Sequence, residues 1–230
     1  MILKNINLKA VLFDMDGVLF DSMPYHANAW HKVMKAHGLN LSREEVYLHE
    51  GRTGAGTINM VCQRQLGREA TPEEVKNIYK EKSKEFNTYP QADRMPGAWE
   101  LLQKVKAAGL LPMVVTGSGQ TSLLNRLEEN FPGMFRRELM VTAFDVKHGK
   151  PHPEPYLMAL QKAGLKPEEA IVIENAPLGV ESAVAAGIFT IAVNTGPLDC
   201  QVLLDAGASA LFPSVQALCD GWEELINKLA

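Results

Sequence analysis

Cysteine is scarce: Cys62, Cys200 and Cys219 stand far apart and share no metal-ligand spacing. A disulfide framework and a cysteine-built zinc site are therefore not expected, and a reducing compartment fits. Positive charge is short too, with 23 Lys and Arg against 27 Asp and Glu and a formal net charge of -4. No broad basic field is available to hold nucleic acid or an anionic membrane, so an anionic ligand must be captured by a few local cations. Long apolar runs are missing, and none approaches the length needed to span a bilayer. The opening MILKNINLKAVLF does not resemble a secretory leader, because Lys4, Asn5 and Asn7 interrupt it and no small-residue cleavage site follows. Internal repeats and low-complexity segments are absent. These gaps leave a cytoplasmic protein, monomeric by default, with no nucleic-acid or membrane partner.

What is present suits a folded enzyme. The chain has 230 residues, 46% hydrophobic and 22% charged, enough for one sizeable core and a smaller second domain. Short apolar runs recur at Ala10–Phe13, Leu111–Val115, Leu139–Val141, Ala170–Ile173 and Phe189–Val193, with the length and Val/Ile content of buried parallel strands. Between them lie helical spacings, such as Ala98, Leu101, Leu102, Val105 and Ala108, closed by Gly109, or Tyr156, Leu157, Leu160 and Ala163, closed by Gly164. This alternation predicts an α/β fold, a Rossmann-like doubly wound parallel sheet. The stretch 24–91 breaks the rhythm, offering helical patterns and no buried strand. Ser42 with Glu45, and Thr71 with Pro72 and Glu74, mark helix starts within it. Residues 1–23 and 92–230 are therefore expected to form the core domain, and 24–91 an inserted α-helical cap.

In an open parallel sheet, ligands bind beyond the carboxyl ends of the strands, so the residues after each apolar run are the informative ones. They are Asp14-Met15-Asp16-Gly17, Thr116-Gly117-Ser118 and Glu174-Asn175, with Lys150 in a Gly-Lys-Pro-His-Pro loop after the third run. Two aspartates two residues apart suit phosphoryl transfer: Asp14 attacks phosphorus while Asp16 exchanges a proton with the bridging oxygen. A carboxylate approaching a phosphate dianion needs its charge screened, which implies Mg²⁺ held by Asp14, the backbone carbonyl of Asp16, Glu174 and Asn175. Thr116 and Ser118, with free backbone N–H groups of the turn through Gly117, would hold phosphate oxygens, and Lys150 would offset charge near Asp14. Taken singly, each has an ordinary alternative as a cap, a strand end or a surface lysine. Their occurrence at successive strand ends is what points to chemistry.

These residues resemble the haloacid dehalogenase superfamily, in its β-phosphoglucomutase-like branch. Phe-Asp-Met-Asp-Gly-Val-Leu-Phe-Asp-Ser at 13–22, Val-Thr-Gly-Ser at 115–118, Gly-Lys-Pro at 149–151 and Ile-Glu-Asn-Ala-Pro-Leu-Gly-Val at 173–180 are similar to its four motifs. The resemblance implies a phosphorylated Asp14, Asp16 as acid and then base, and Mg²⁺ as cofactor. Tyr25-His26-Ala27-Asn28-Ala29-Trp30 is similar to the branch's hinge and first cap helix, and Gly51-Arg52-Thr53 to its specificity loop. His26, Arg52 and Lys82 are then the cap cations expected to meet a second anionic group.

Two departures from the family pattern bear on substrate. Asn175 stands where the family usually has aspartate, which favours a more anionic substrate. Glu50 adds a carboxylate to the cap loop that on closure would reach the metal or a metal-bound water and shorten the cavity. Both agree with a resemblance, inside the branch, to inorganic pyrophosphatase, which makes pyrophosphate hydrolysis the expected activity on a small phosphate anhydride or ester. The alternatives are a β-phosphoglucomutase or small sugar-phosphate phosphatase and, third, a catalytically silent phosphate-binding protein.

Overall fold

The run Ala10–Phe13 (β1) carries no polar side chain, and all four residues are buried. Side chains alternate along a strand, so Val11 and Phe13 enter the core on one face of the sheet while Ala10 and Leu12 enter the core on the other. A strand buried on both faces belongs in the middle of a sheet. In the computed structural model, which describes residues 7–119 and 122–229, β1 lies between β2 (Leu111–Val114) and β3 (Ala170–Glu174). With β4 (Phe189–Val193) and β5 (Ala210–Phe212) the order is β2-β1-β3-β4-β5, every pair parallel. The register sets Phe13 level with Val114 and Ile173. Asp14, Val115 and Glu174 therefore emerge side by side at one end of the sheet.

The chain leaves β1 into four helices, α1 (Met23–Ala36), α2 (Arg43–Leu48), α3 (Gly54–Leu66) and α4 (Pro72–Phe86). They share a core of their own, built on Met23, Trp30, Met34, Ile58, Val61 and Ile78. Ser42–Glu45 and Thr71–Glu74 form reciprocal capping boxes at the starts of α2 and α4, which satisfies backbone N–H groups that a helix start otherwise leaves unpaired. The outgoing and returning linkers meet as an antiparallel contact: Asp21 N–H donates to the Asp93 carbonyl at 3.0 Å, and Met95 N–H to the Leu19 carbonyl at 2.9 Å. This contact joins the helical unit to the sheet.

After the helices the chain winds both faces of the sheet. On the face holding Val11 and Phe13 pack α5 (Ala98–Ala107), α6 (Ser122–Asn130) through Leu127, α10 (Val215–Asp220) and α11 (Trp222–Leu229). On the other pack α7 (Glu154–Ala163) and α8 (Pro177–Ala185), while α9 (Cys200–Asp205) covers Val180 and Ala192 through Leu203. Among the described residues no helix is long and apolar enough to cross a membrane.

Two strand expectations need correction. Leu139–Val141 is not a strand: Arg137–Leu139 forms a 3-10 turn, Met140 N–H bonds back to the Arg137 carbonyl, and only Val141 bridges to Val115. The last strand is instead Ala210–Phe212, three half-buried residues at the sheet edge whose brevity hid them.

Candidate active site

Asp14 follows β1 directly, and its N–H donates to the Ile173 carbonyl at 3.0 Å. Lys150 Nζ donates to Asp14 Oδ1, to Glu174 Oε1 at 2.6 Å and to the Val115 carbonyl at 3.1 Å. The Tyr156 hydroxyl donates to the same Glu174 oxygen at 2.6 Å. All four side chains are buried. One ammonium thus serves two carboxylates. Burial, helped by repulsion from Glu174 and Asp16, pushes Asp14 up to about 8 against the pull of Lys150. Burial acts the other way on Lys150, but Asp14 and Glu174 outweigh it and hold the ammonium above its ordinary value.

Asp16 sits in a different environment two residues on. It accepts from Ser22 Oγ at 2.5 Å and lies 3.2 Å from His26 Nε2. Lys82 Nζ is 2.7 Å from His26 Nδ1, so the ammonium donates to Nδ1 and the Nε2–H donates to Asp16. Burial would raise Asp16, yet His26 and Ser22 hold it down at about 2. Burial and the Lys82 charge lower His26, and burial brings Lys82 down to about 8. Lys82 is 3% exposed, with its ammonium over the Trp30 and Phe86 rings at 5.3 and 4.9 Å.

The cap loop closes over these groups by backbone approach. A Cβ on Gly51 would stand 2.9 Å from Lys150 Cδ, one on Gly117 would stand 2.7 Å from the Gly51 carbonyl oxygen, and one on Gly149 would stand 2.8 Å from Thr53 Cγ2. Only glycine lets the two loops seat this closely. The seating delivers Glu50 to the core, where both carboxylate oxygens lie 3.1 Å from Asn175 Nδ2. Burial first, then Asp14, raises Glu50 well above its ordinary value. Gly17, at φ +80°, lies against the same Asn175 amide, where any Cβ would clash.

A cavity of about 80 Å³ remains between cap and core. Asp14, Asp16, Thr116, Gly117 and Ser118 line it from the core, and His26, Glu50, Arg52 and Lys82 from the cap. Lys150, Glu174 and Asn175 form the layer beneath. The structure thus gathers every residue singled out in the sequence, with two differences: His26, bonded as a neutral imidazole between Lys82 and Asp16, is not a free cation, and the second lies at Ser118. Its N–H donates to Thr116 Oγ at 3.1 Å and so is not free for an anion. Sequence reasoning passed over His49, Tyr79 and Tyr156. The first two line the cavity, and Tyr156 reads as an apolar helix position although its hydroxyl is committed to Glu174. Arg52 Nε and His49 Nδ1 are buried without a hydrogen-bond partner.

The donor set also fits a hard divalent cation. Asn175 Oδ1 is buried with no partner, and it belongs to a cluster in which Asp14 and Glu174 share the Lys150 ammonium while the Glu50 carboxylate meets only the Asn175 amide. Oxygen donors with excess negative charge are what Mg²⁺ binds. A test on stability follows from Glu50. Its folded-state value is raised, so the neutral form favours the fold, and that contribution fades as pH rises from the unfolded value near 4.5 toward the folded one. In chelator, Glu50→Gln is expected to melt progressively higher than the parent as pH rises from 5, by roughly 3 °C per pH unit until Glu50 ionises in the fold. A Tm difference that stays constant across that range would contradict it.

Comparison with known proteins agrees with this architecture. Residues 11–193 match the family model described as haloacid dehalogenase-like hydrolase. Hexitol phosphatase A of Escherichia coli is 34% identical over 81% of this chain and 83% of its own length. A phosphorylated carbohydrates phosphatase of Thermotoga maritima is 32% identical over 96% of this chain and 98% of its own. The pyrophosphatase PpaX of Oceanobacillus iheyensis is 27% identical over 82% and 84%. A solved structure from Bacteroides vulgatus, described as a candidate β-phosphoglucomutase, superposes with a TM-score of 0.95 at 65% identity, covering 98% of this chain and 91% of that one. The chain belongs to the haloacid dehalogenase-like hydrolase family.

Proposed function

We propose that the protein is a phosphohydrolase working through a phosphorylated Asp14, with inorganic pyrophosphate as its substrate. The observation that carries the substrate is Glu50, which crosses from the cap to Asn175 and shortens the site to about 80 Å³. Pockets for drug-sized organic ligands run to roughly 300–1,000 Å³. A cavity this small, faced by the cations Arg52 and Lys82 on the cap side, suits a compact dianionic group opposite the reacting phosphate.

The chemistry follows from the residues present. A carboxylate oxygen of Asp14 bonds to phosphorus as the bond from phosphorus to the bridging oxygen breaks, and orthophosphate leaves with that oxygen. Asp16, ionised at rest, accepts a proton from water as the water oxygen attacks phosphorus and frees Asp14, and then passes that proton to the departing phosphate or to solvent. Resting Asp16 is held ionised by His26, which favours its role as base. An orthophosphate leaving group spreads the departing charge over its oxygens and needs less help from an acid than an alkoxide does. Lys150 fixes the orientation of Asp14 by sharing its ammonium with Glu174. Asp14, the Asp16 carbonyl and Asn175, with Glu174 and Glu50 beside them, would hold Mg²⁺. When bound, the ion supplies the charge screening that lets a carboxylate meet an anionic phosphate.

A second reading, phosphatase action on a sugar phosphate, is favoured by the relatives. The relative at 34% identity is named a hexitol phosphatase, the one at 32% a phosphorylated carbohydrates phosphatase, and the solved structure at 65% is described as a candidate β-phosphoglucomutase, whereas the pyrophosphatase relative stands lower at 27%. Phosphate release measured across pyrophosphate, hexose phosphates and glycerol phosphates separates the two. Pyrophosphate is expected to give the highest kcat/KM, and Glu50→Ala to lower that value on the order of 100-fold while changing the sugar esters by less than about 10-fold. A kcat/KM for any hexose phosphate equal to or above that for pyrophosphate would decide for the second reading.

A further inference from the structure

Outside the active site, two imidazoles converge on one carboxylate oxygen of Glu154. His148 Nδ1 lies 2.8 Å from Glu154 Oε2, and His152 Nδ1 lies 3.9 Å from the same atom. The two imidazole rings have their centroids 4.7 Å apart, and one ligand atom from each of the three residues falls within 4.8 Å of the others. The carboxylate is held in place beforehand: Lys147 N–H donates to Oε1 at 2.8 Å and His148 N–H to Oε2 at 3.0 Å. The His152 carbonyl accepts from Ser182 Oγ at 2.7 Å, which ties the segment to α8. Both imidazoles are open to solvent, at 64% and 52% exposure, so an ion can reach them.

We propose that His148, His152 and Glu154 form a site for Zn²⁺ or a similar borderline divalent ion, and that the bound ion clips the loop carrying Lys150. Two imidazoles and one carboxylate suit Zn²⁺, Co²⁺, Ni²⁺ or Cu²⁺; Mg²⁺ prefers oxygen donors and keeps its waters. Zn–N and Zn–O bonds of about 2.0–2.2 Å put tetrahedral ligands about 3.4 Å apart. The present separations of 2.8 and 3.9 Å lie on either side of that figure, so modest ring rotations, which release His152 Nδ1 from the Glu154 N–H that now donates to it at 3.1 Å, bring the three donors onto one ion. The ion takes the position of the proton between His148 and Glu154, and water completes its coordination. The ligands bracket Gly149-Lys150-Pro151, so binding restrains the segment on both sides of the lysine.

The test is a calorimetric titration of the full chain with Zn²⁺ in excess Mg²⁺, repeated with Co²⁺ under visible absorption. One site is expected, weakened about 100-fold or more in the His148→Ala/His152→Ala variant and unchanged in Cys200→Ser, which removes the exposed thiol. Amide exchange over residues 147–152 is expected to slow on adding Zn²⁺ to the parent and not to the double variant. Absence of Zn²⁺ binding, or binding that survives the loss of both histidines, would overturn the site. Loop exchange indifferent to bound Zn²⁺ would overturn the clip.

Discussion

Replacing Asp14 with asparagine is expected to lower turnover on every phosphate substrate by on the order of 10⁴-fold or more, because the amide lacks the charge and lone-pair strength to attack phosphorus. The side chain keeps its shape, and its burial is less costly than that of an ionised carboxylate sharing Lys150 with Glu174. The variant is therefore expected to melt no lower than the parent at pH 8, where Asp14 has begun to ionise. Phosphate release and a thermal melt on the same preparation make the test. Brief quenching with labelled pyrophosphate adds a second readout, with acid-stable, hydroxylamine-sensitive label on the parent and none on the variant. Turnover within about 10-fold of the parent would remove Asp14 as nucleophile and leave the family assignment intact.

That Asp14, Asp16 and Lys150 were legible in the sequence has a physical reason. Each lies within two or three residues of a strand end or a proline-bounded loop, and parallel-sheet topology brings such ends together whatever the sequence between them. The capping boxes at Ser42 and Thr71 were legible for a similar reason, since both partners lie within one helical turn. Contacts set by how one helix packs on another were not. Lys82 and His26 are 56 residues apart, and only the packing of α4 on α1 sets the ammonium against the imidazole. Tyr156 fitted the apolar stripe of α7 so well that its hydroxyl carried no signal. Leu139–Val141 had strand composition, but the preceding 3-10 turn used the backbone groups that a ladder needs.

Loss of Lys150 is expected to have the second large effect, and on two quantities at once. In Lys150→Met the hydrocarbon stem still packs against Gly51, but Asp14 and Glu174 lose the ammonium they share. Removing one member of a buried pair generally costs roughly 3–5 kcal/mol, because the charge left behind stays desolvated. Here the cost depends on pH. Asp14 is already raised, and without Lys150 it rises further, so it can shed the penalty by taking up a proton. The Tm deficit of the variant is therefore expected to be large at pH 8 and to shrink toward pH 5. Turnover is expected to fall on the order of 10²–10³-fold, as Asp14 loses the partner that fixes its orientation and part of its screening. Melts across that range, with phosphate release at each pH, separate this from a simple packing defect, which would give a deficit independent of pH. A pH-independent deficit with near-parental turnover would mean that Lys150 only fills space, and that the charge balance of the pocket is set without it.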